Sequence, residues 1–202
     1  MPKRLASGSV LLALSATTIL AAAAVVQKPG SESWTESSGA TGPSHGDILT
    51  TADYDGLQIV RLWEYGKHPC VLRAEESAFA TRTLGLLDPM KACEPTVGEE
   101  WKQADVGSGK FVTAIATCTS KAKDDNTVHG IELWGATVES DGTLKPAKAS
   151  TRLTFSECKR WQPKRACPAG AVATGLRGFW NDPAEGLQGI ALRCHLLEQR
   201  GK

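Results

Sequence analysis

Carboxylates gather at three turn-like places in this chain: Asp53 with Asp55, Asp124 with Asp125, and Asp182 with Glu185. Paired carboxylates could serve glycoside hydrolysis, where their separation selects the mechanism. They could hold Ca²⁺ together with backbone carbonyls, or accept hydrogen bonds from a polar ligand such as a sugar. Turn building competes with all three, because Asp and Asn bond readily to their own backbone. Turn building is the favoured reading, followed by sugar contact at Asp124, Asp125, Asp182 and Glu185. No catalytic residue, metal or cofactor is assigned.

Trp63 and Trp134 are the second set of residues with chemical potential. An exposed indole offers large, rigid area for stacking on the apolar face of a sugar ring. The competing reading is packing beneath a neighbouring loop. His45, His68, His129 and His195 are scattered, and the pairs near Cys70 and Cys194 make poor metal sites if those sulfurs are oxidised. Gly107-Ser108-Gly109-Lys110 lacks the spacing of a phosphate-binding loop. Neither a G-x-S-x-G nor an H-E-x-x-H motif occurs.

The elements that must hold these residues come from an internal repeat. Residues 55–63 align without a gap on 126–134 and on 185–193. In this strand, Val60 and Leu62 match Ile131 and Leu133, and Ile190 and Leu192, on what alternation makes the core face. The next inward position holds Glu64, Gly135 and Cys194, and one outward position holds Trp63, Trp134 and Arg193. Upstream, Val106-Gly107-Ser108-Gly109 matches Cys167-Pro168-Ala169-Gly170, with Gly109 and Gly170 suited to a turn of positive φ. Trp101 and Trp161 precede these turns. The first copy shows only its last strand.

Short β-branched runs between frequent Gly and Pro residues predict an all-β domain. Residues 73–87 have a loose helical spacing of Ala74, Ala78, Ala80 and Leu84, opposed by Thr81 and Thr83.

Pro2-Lys3-Arg4, the apolar Val10 to Val26 and a small-residue site at Ala22-x-Ala24 read as a secretory signal peptide over 1–24, with the mature chain starting near Val25. Residues 25–47, rich in Ser, Gly, Thr and Pro, read as a flexible linker. Residues 48–202 read as a single all-β repeat domain. With 23 basic and 22 acidic residues the chain offers no charge footprint for nucleic acid or an anionic membrane.

Six cysteines behind an export signal read as disulfides. Cys167 and Cys194 are replaced together, by Val106 and Gly135, in the second copy, which favours them as a bonded pair. Closeness in sequence then favours Cys70–Cys93 and Cys118–Cys158.

Residues 123–133, an acidic turn followed by the Gly130-Ile131-Glu132-Leu133 strand, resemble the repeat of the vitelline membrane outer layer protein I family. Cys167-Pro168-Ala169-Gly170, Ala173-Thr174-Gly175-Leu176 and Leu192-Arg193-Cys194 resemble the other end of that repeat. The resemblance spans about Trp101 to Cys194, plus the strand from Asp55 to Trp63. It implies a β-prism of three Greek-key sheets about a pseudo-threefold axis. It also implies an extracellular coat or matrix role with carbohydrate binding and no catalytic apparatus.

The expected protein is therefore a disulfide-reinforced β-prism, secreted to the extracellular space or periplasm. Its expected role is non-catalytic binding or coating, with a glycan or a surface protein as partner. A glycoside-acting enzyme using the acidic turns, and a structural or inhibitory protein that binds another protein, are the alternatives.

Overall fold

Strands and turns account for all regular structure among the described residues, 24–65, 68–91, 93, 101–121, 125–181 and 186–200 of a computed structural model. The N-terminal part forms β1 (Val25–Gln27), β2 (Ser33–Trp34), β3 (Ser38–Gly39) and β4 (Ser44–Leu49). A first long hairpin follows, β5 (Asp55–Tyr65) and β6 (His68–Ala78). β7 (Leu84–Leu86) and β8 (Met90–Lys91) pair with β6, and β9 (Lys102–Asp105) pairs with β5.

The second hairpin is β10 (Lys110–Thr119) with β11 (Val128–Val138). β12 (Leu144–Pro146) and β13 (Thr151–Thr154) flank β11, while β14 (Arg160–Trp161) and β15 (Arg165–Ala166) flank β10. The third hairpin is β16 (Ala171–Trp180) with β17 (Leu187–Gln199). Its flanks come from the far end of the chain: β4 pairs with β16, and β1, β2 and β3 pair with β17. Each sheet is thus a hairpin with one strand position added on either side, a Greek-key order. Three such sheets make the β-prism expected from the sequence.

Residues 25–47 are not the flexible linker their composition predicts. Val25 pairs with Gln199, Trp34 with Arg193, Ser38 with Ile190, and Asp47 with Arg177. Polar, Gly-rich sequence makes good outer strands here because a long apolar hairpin already supplies the buried face and needs only backbone partners. Ser38 is fully buried and bonds to Thr117 of the second sheet, its hydroxyl receiving the Thr117 N–H at 2.8 Å. The first unit is therefore complete, in residues 55–105, and the third unit is the one divided between the two chain ends.

The three hairpins share their irregularities. A bulge falls at Gln58, Thr113 and Thr174, and a second register shift falls after Trp63, Cys118 and Phe179. These marks set the true equivalence. β5 corresponds to β10 and β16, the first strands of their hairpins, whereas residues 128–134 and 187–193 lie in second strands. The sequence match of 55–63 to those segments is therefore one strand out of place. It arose because every long strand alternates the same way around a common core. Trp63 corresponds to Cys118 and Phe179, and Glu75 takes the place beside Trp134 and Arg193. Glu76, not Glu64, corresponds to Gly135 and Cys194.

The core lies between the sheets. Val60, Leu62, Ile115, Ile131, Leu133, Leu176, Ile190 and Leu192 are fully buried in one cluster. Residues 73–87 are strand and turn instead of helix: Leu72 and Ala74 face the core while Val71 packs on the outer face, a period of two. Pairing with β5 outweighs the alanine-rich composition. Gly109 and Gly170 have φ of 71° and 79°, as their turns require. One end of the prism is closed by Val25, Phe79, Phe111, Val138 and Val172, with the two phenylalanine rings edge-on at 4.9 Å between centroids.

Disulfides join Cys70 to Cys93, Cys118 to Cys158 and Cys167 to Cys194. Cys194 is fully buried in the core. At the equivalent place in the second sheet Val106 fills the space against Gly135, where an added Cβ would stand 2.7 Å from the valine Cβ. Two cysteines in one copy and a large–small pair in the other are alternative fillings of one gap.

Candidate functional site

Trp63 faces outward, as alternation requires, but it is 1% exposed. It packs with Cys70, Val71, Cys93 and Trp101, so the Cys70–Cys93 bond holds chain over its ring. A sugar cannot reach a buried indole, and its assignment to ligand binding is corrected to packing. Trp63→Ala should cost about 3–5 kcal/mol, read as a lower midpoint in urea. A loss below about 1 kcal/mol would contradict this burial.

Trp134 lies half-buried on the outer face of the second sheet. Its cross-strand partner is Ala114, which in turn pairs with Ala166, so the indole borders a floor of small side chains. The Lys164 ammonium sits 4.4 Å from the ring centroid. One step along the sheet, Glu132 accepts bonds from Ser150 Oγ at 2.5 Å and Arg152 Nη2 at 2.9 Å. Arg152 also stacks over Trp161, 4.9 Å from its ring centroid. Trp134 thus stands beside Ala114 and Trp161 beside Cys118 on the same strand β10, each indole lidded by a cation.

The other sheets carry similar stacks in fixed form. Arg177 covers Trp34 at 4.2 Å but is gripped by both Asp47 oxygens at 2.7 Å. Trp101 stacks with Arg73 and is packed against the buried Trp63. Lys164 has no ion-pair partner among the described residues. A cation–π contact at an exposed site is worth about 0.5–1 kcal/mol, little enough for a ligand ring to replace. The signal that would have singled out Trp161 and Arg152 is a cross-strand register that sequence does not reveal.

Of the acidic turn residues, Asp124, Asp182 and Glu185 lie outside the described residues. Asp125 accepts the Thr127 backbone N–H at 2.9 Å, which closes a turn onto its own side chain. Burial raises its pKa, but hydrogen bonds from the Thr127 N–H and the Thr127 and Ser120 hydroxyls outweigh that and bring it to about 2, with His129 adding attraction. His129 is 1% exposed and lies 3.5 Å from Asp125 Oδ2 and 3.8 Å from Glu64 Oε1. It matches Gln188, since each is the extra residue at the second register shift of its hairpin, whereas Gln58 is the bulge of a first strand and is not its counterpart.

A second acidic place was only half visible in sequence. Asp55 and Glu76 line one cleft of about 230 Å³ with Tyr54, Thr81, Thr83 and Gly85. Glu76 is 7% exposed and accepts the Thr51 N–H at 2.7 Å and the Thr51 hydroxyl at 2.6 Å. Asp55 is 6% exposed. Burial raises its pKa to about 6, with Glu76 and Asp53 adding repulsion. Because the folded value lies above the unfolded one, its contribution to stability is full below about pH 4 and is lost as pH rises through 6. Asp55→Asn should therefore stabilise the protein above pH 7 by roughly 2 kcal/mol and leave it unchanged near pH 4. A melting-temperature difference that is flat across this range would contradict the raised pKa.

Neither a protein-family profile nor a curated protein sequence matches the chain. Solved structures do match its fold. The agglutinin of Calystegia sepium superposes with a TM-score of 0.51 at 9% identity, covering 81% of this chain and 96% of the agglutinin. A Calsepa lectin solved in complex with a biantennary N-glycan superposes with a TM-score of 0.51 at 10% identity, covering 82% and 97%. A mannose-binding jacalin-related lectin from Ananas comosus matches with a TM-score of 0.47 at 10% identity, covering 82% and 99%. The chain shares its β-prism fold with the Calystegia sepium agglutinin. The vitelline membrane family resemblance is matched at the level of that fold class.

Proposed function

We propose that this is a secreted, non-catalytic carbohydrate-binding protein that stacks sugar rings on the outer face of its second sheet. The observation that carries the reading is Trp134, half-buried beside Ala114 and Ala166 with Lys164 as its lid. A sugar ring lying on the indole would displace Lys164, whose ammonium is then placed to donate to ring hydroxyls. The likeness of the fold to lectins supports this reading, as do the disulfides, which form in an oxidising compartment. Signal cleavage after Ala24 would leave β1 intact, with Val25 and Val26 buried against the C-terminal strand. A role as a coat component is compatible with the same face.

A glycan array followed by titration of the best ligand tests the proposal. Trp134→Ala should weaken binding by about 10- to 100-fold, that is ~1–3 kcal/mol, with little change in melting temperature. Asp125→Asn should matter less, because that carboxylate serves its own turn. Unchanged affinity in a destabilised Trp134→Ala protein would end the stacking reading and leave protein binding as the alternative.

A further inference from the structure

We infer that the cleft formed by Tyr54, Asp55, Glu76 and Gly85 binds a primary ammonium carried on a small polar ring, and that its occupant is an amino sugar. Buried carboxylates are almost always paired with a cation or held by several donors. Glu76 is held by Thr51 alone, and neither Glu76 nor Asp55 has an ion-pair partner among the described residues. Asp55 is 6% exposed and lines the cleft, and its carboxylate accepts no hydrogen bond from the described residues. Asp53 nearby adds a third negative charge, itself met by Arg200 at 3.6 Å.

The pseudo-threefold marks this place as exceptional. The position of Glu76 is held by Gly135 in the second sheet and by the core cysteine Cys194 in the third. The fold fills that position with nothing or with an apolar group elsewhere, so the carboxylate is a local departure, tied to Thr51 by two hydrogen bonds but matched by no cation among the described residues. Gly85 makes room for it: a Cβ at that residue would stand 3.0 Å from Glu76 Oε1.

The chemistry of the lining selects the ligand. Among the described residues no group of three His, Cys, Asp or Glu side chains could hold a metal ion. Two buried carboxylates without such a third ligand suit an ammonium, which offers three donors. Tyr54, 50% exposed on the rim, offers an aromatic face to a ring, and the Thr81 and Thr83 hydroxyls border the same space. A cleft of about 230 Å³ is small for an extended ligand but sufficient for one ring. Choosing an amino sugar over another ammonium rests on the carbohydrate reading; the charge argument does not.

Two-dimensional NMR titration of the secreted protein with methyl glucosaminide, methyl N-acetylglucosaminide and N-acetyl-lysine amide tests the inference. At pH 7 the glucosaminide should shift resonances of residues 54, 55, 76 and 85 and bind about tenfold or more tightly than its N-acetylated form, which lacks the charge. Asp55→Asn should remove that preference, and Tyr54→Ala should weaken binding without lowering the melting temperature. Binding should also weaken from pH 7 to 5 as Asp55 takes up a proton, with Glu76, Asp53 and Arg200 the other charges to be checked. Trp134→Ala should leave this site untouched, which separates it from the stacking face. Binding of the lysine probe alone would keep the ammonium site and refute the amino-sugar assignment. Equal binding of the charged and acetylated sugars, or an unaltered preference in Asp55→Asn, would overturn the inference.

Discussion

Deleting residues 25–47 should abolish folding, although their composition is that of a dispensable linker. The deletion strips β1, β2, β3 and most of β4 from the third sheet and leaves β16 and β17 as a two-stranded ribbon with both edges bare. An isolated hairpin is marginal in water, and bare edges promote aggregation. It also removes buried Val25, Val26 and Ser38. The expected product is insoluble, or lacks a cooperative thermal transition.

A circular permutant provides the counterpart. Val25 and Gln199 are cross-strand partners, and Arg200 N–H donates to Ala24 carbonyl at 2.8 Å, so a short linker can join the ends. New termini between β4 and β5 would then make every sheet continuous in sequence, and this permutant should fold. A deletion variant that melts cooperatively within a few degrees of the intact protein would refute the assignment of these strands.

Removing the Cys167–Cys194 bond should cost about 3–4 kcal/mol, since it closes a separation of 27 residues. At roughly 2–4 °C per kcal/mol for a domain of this size, the double alanine variant should melt about 6–16 °C lower. The Cys167→Val, Cys194→Gly variant copies the second sheet, where Val106 fills the gap over Gly135. It should lose less than the alanine pair, because packing is restored though the cross-link is not. Losses in the reverse order would break the proposed equivalence of the two places. Peptide mapping that finds Cys167 with another partner would remove the basis of both expectations.

The composition and rhythm of the chain were enough for the class of fold. Period-two alternation in Val60-x-Leu62, Ile131-x-Leu133 and Ile190-x-Leu192 specifies a buried strand face wherever the strand is placed. The joint replacement of Cys167 and Cys194 pointed to their bond, because a covalent pair varies as a unit. Gly109 and Gly170 announced their turns, because only glycine takes positive φ without strain.

Alternation is blind to which of two hairpin strands is being read. Only the shared bulges at Gln58, Thr113 and Thr174 showed that residues 55–63 belong with β10 and β16, and they separated Trp63 from Trp134. Composition was equally blind to residues 25–47, because outer strands draw their stability from backbone bonds to a neighbour supplied by the far end of the chain. The burial of Trp63, the cation lids on Trp134 and Trp161, and the meeting of Asp55 with Glu76 are likewise tertiary facts. Each depends on contacts across strands. A sequence states which side of its own strand a residue faces, and the fold alone decides what lies opposite.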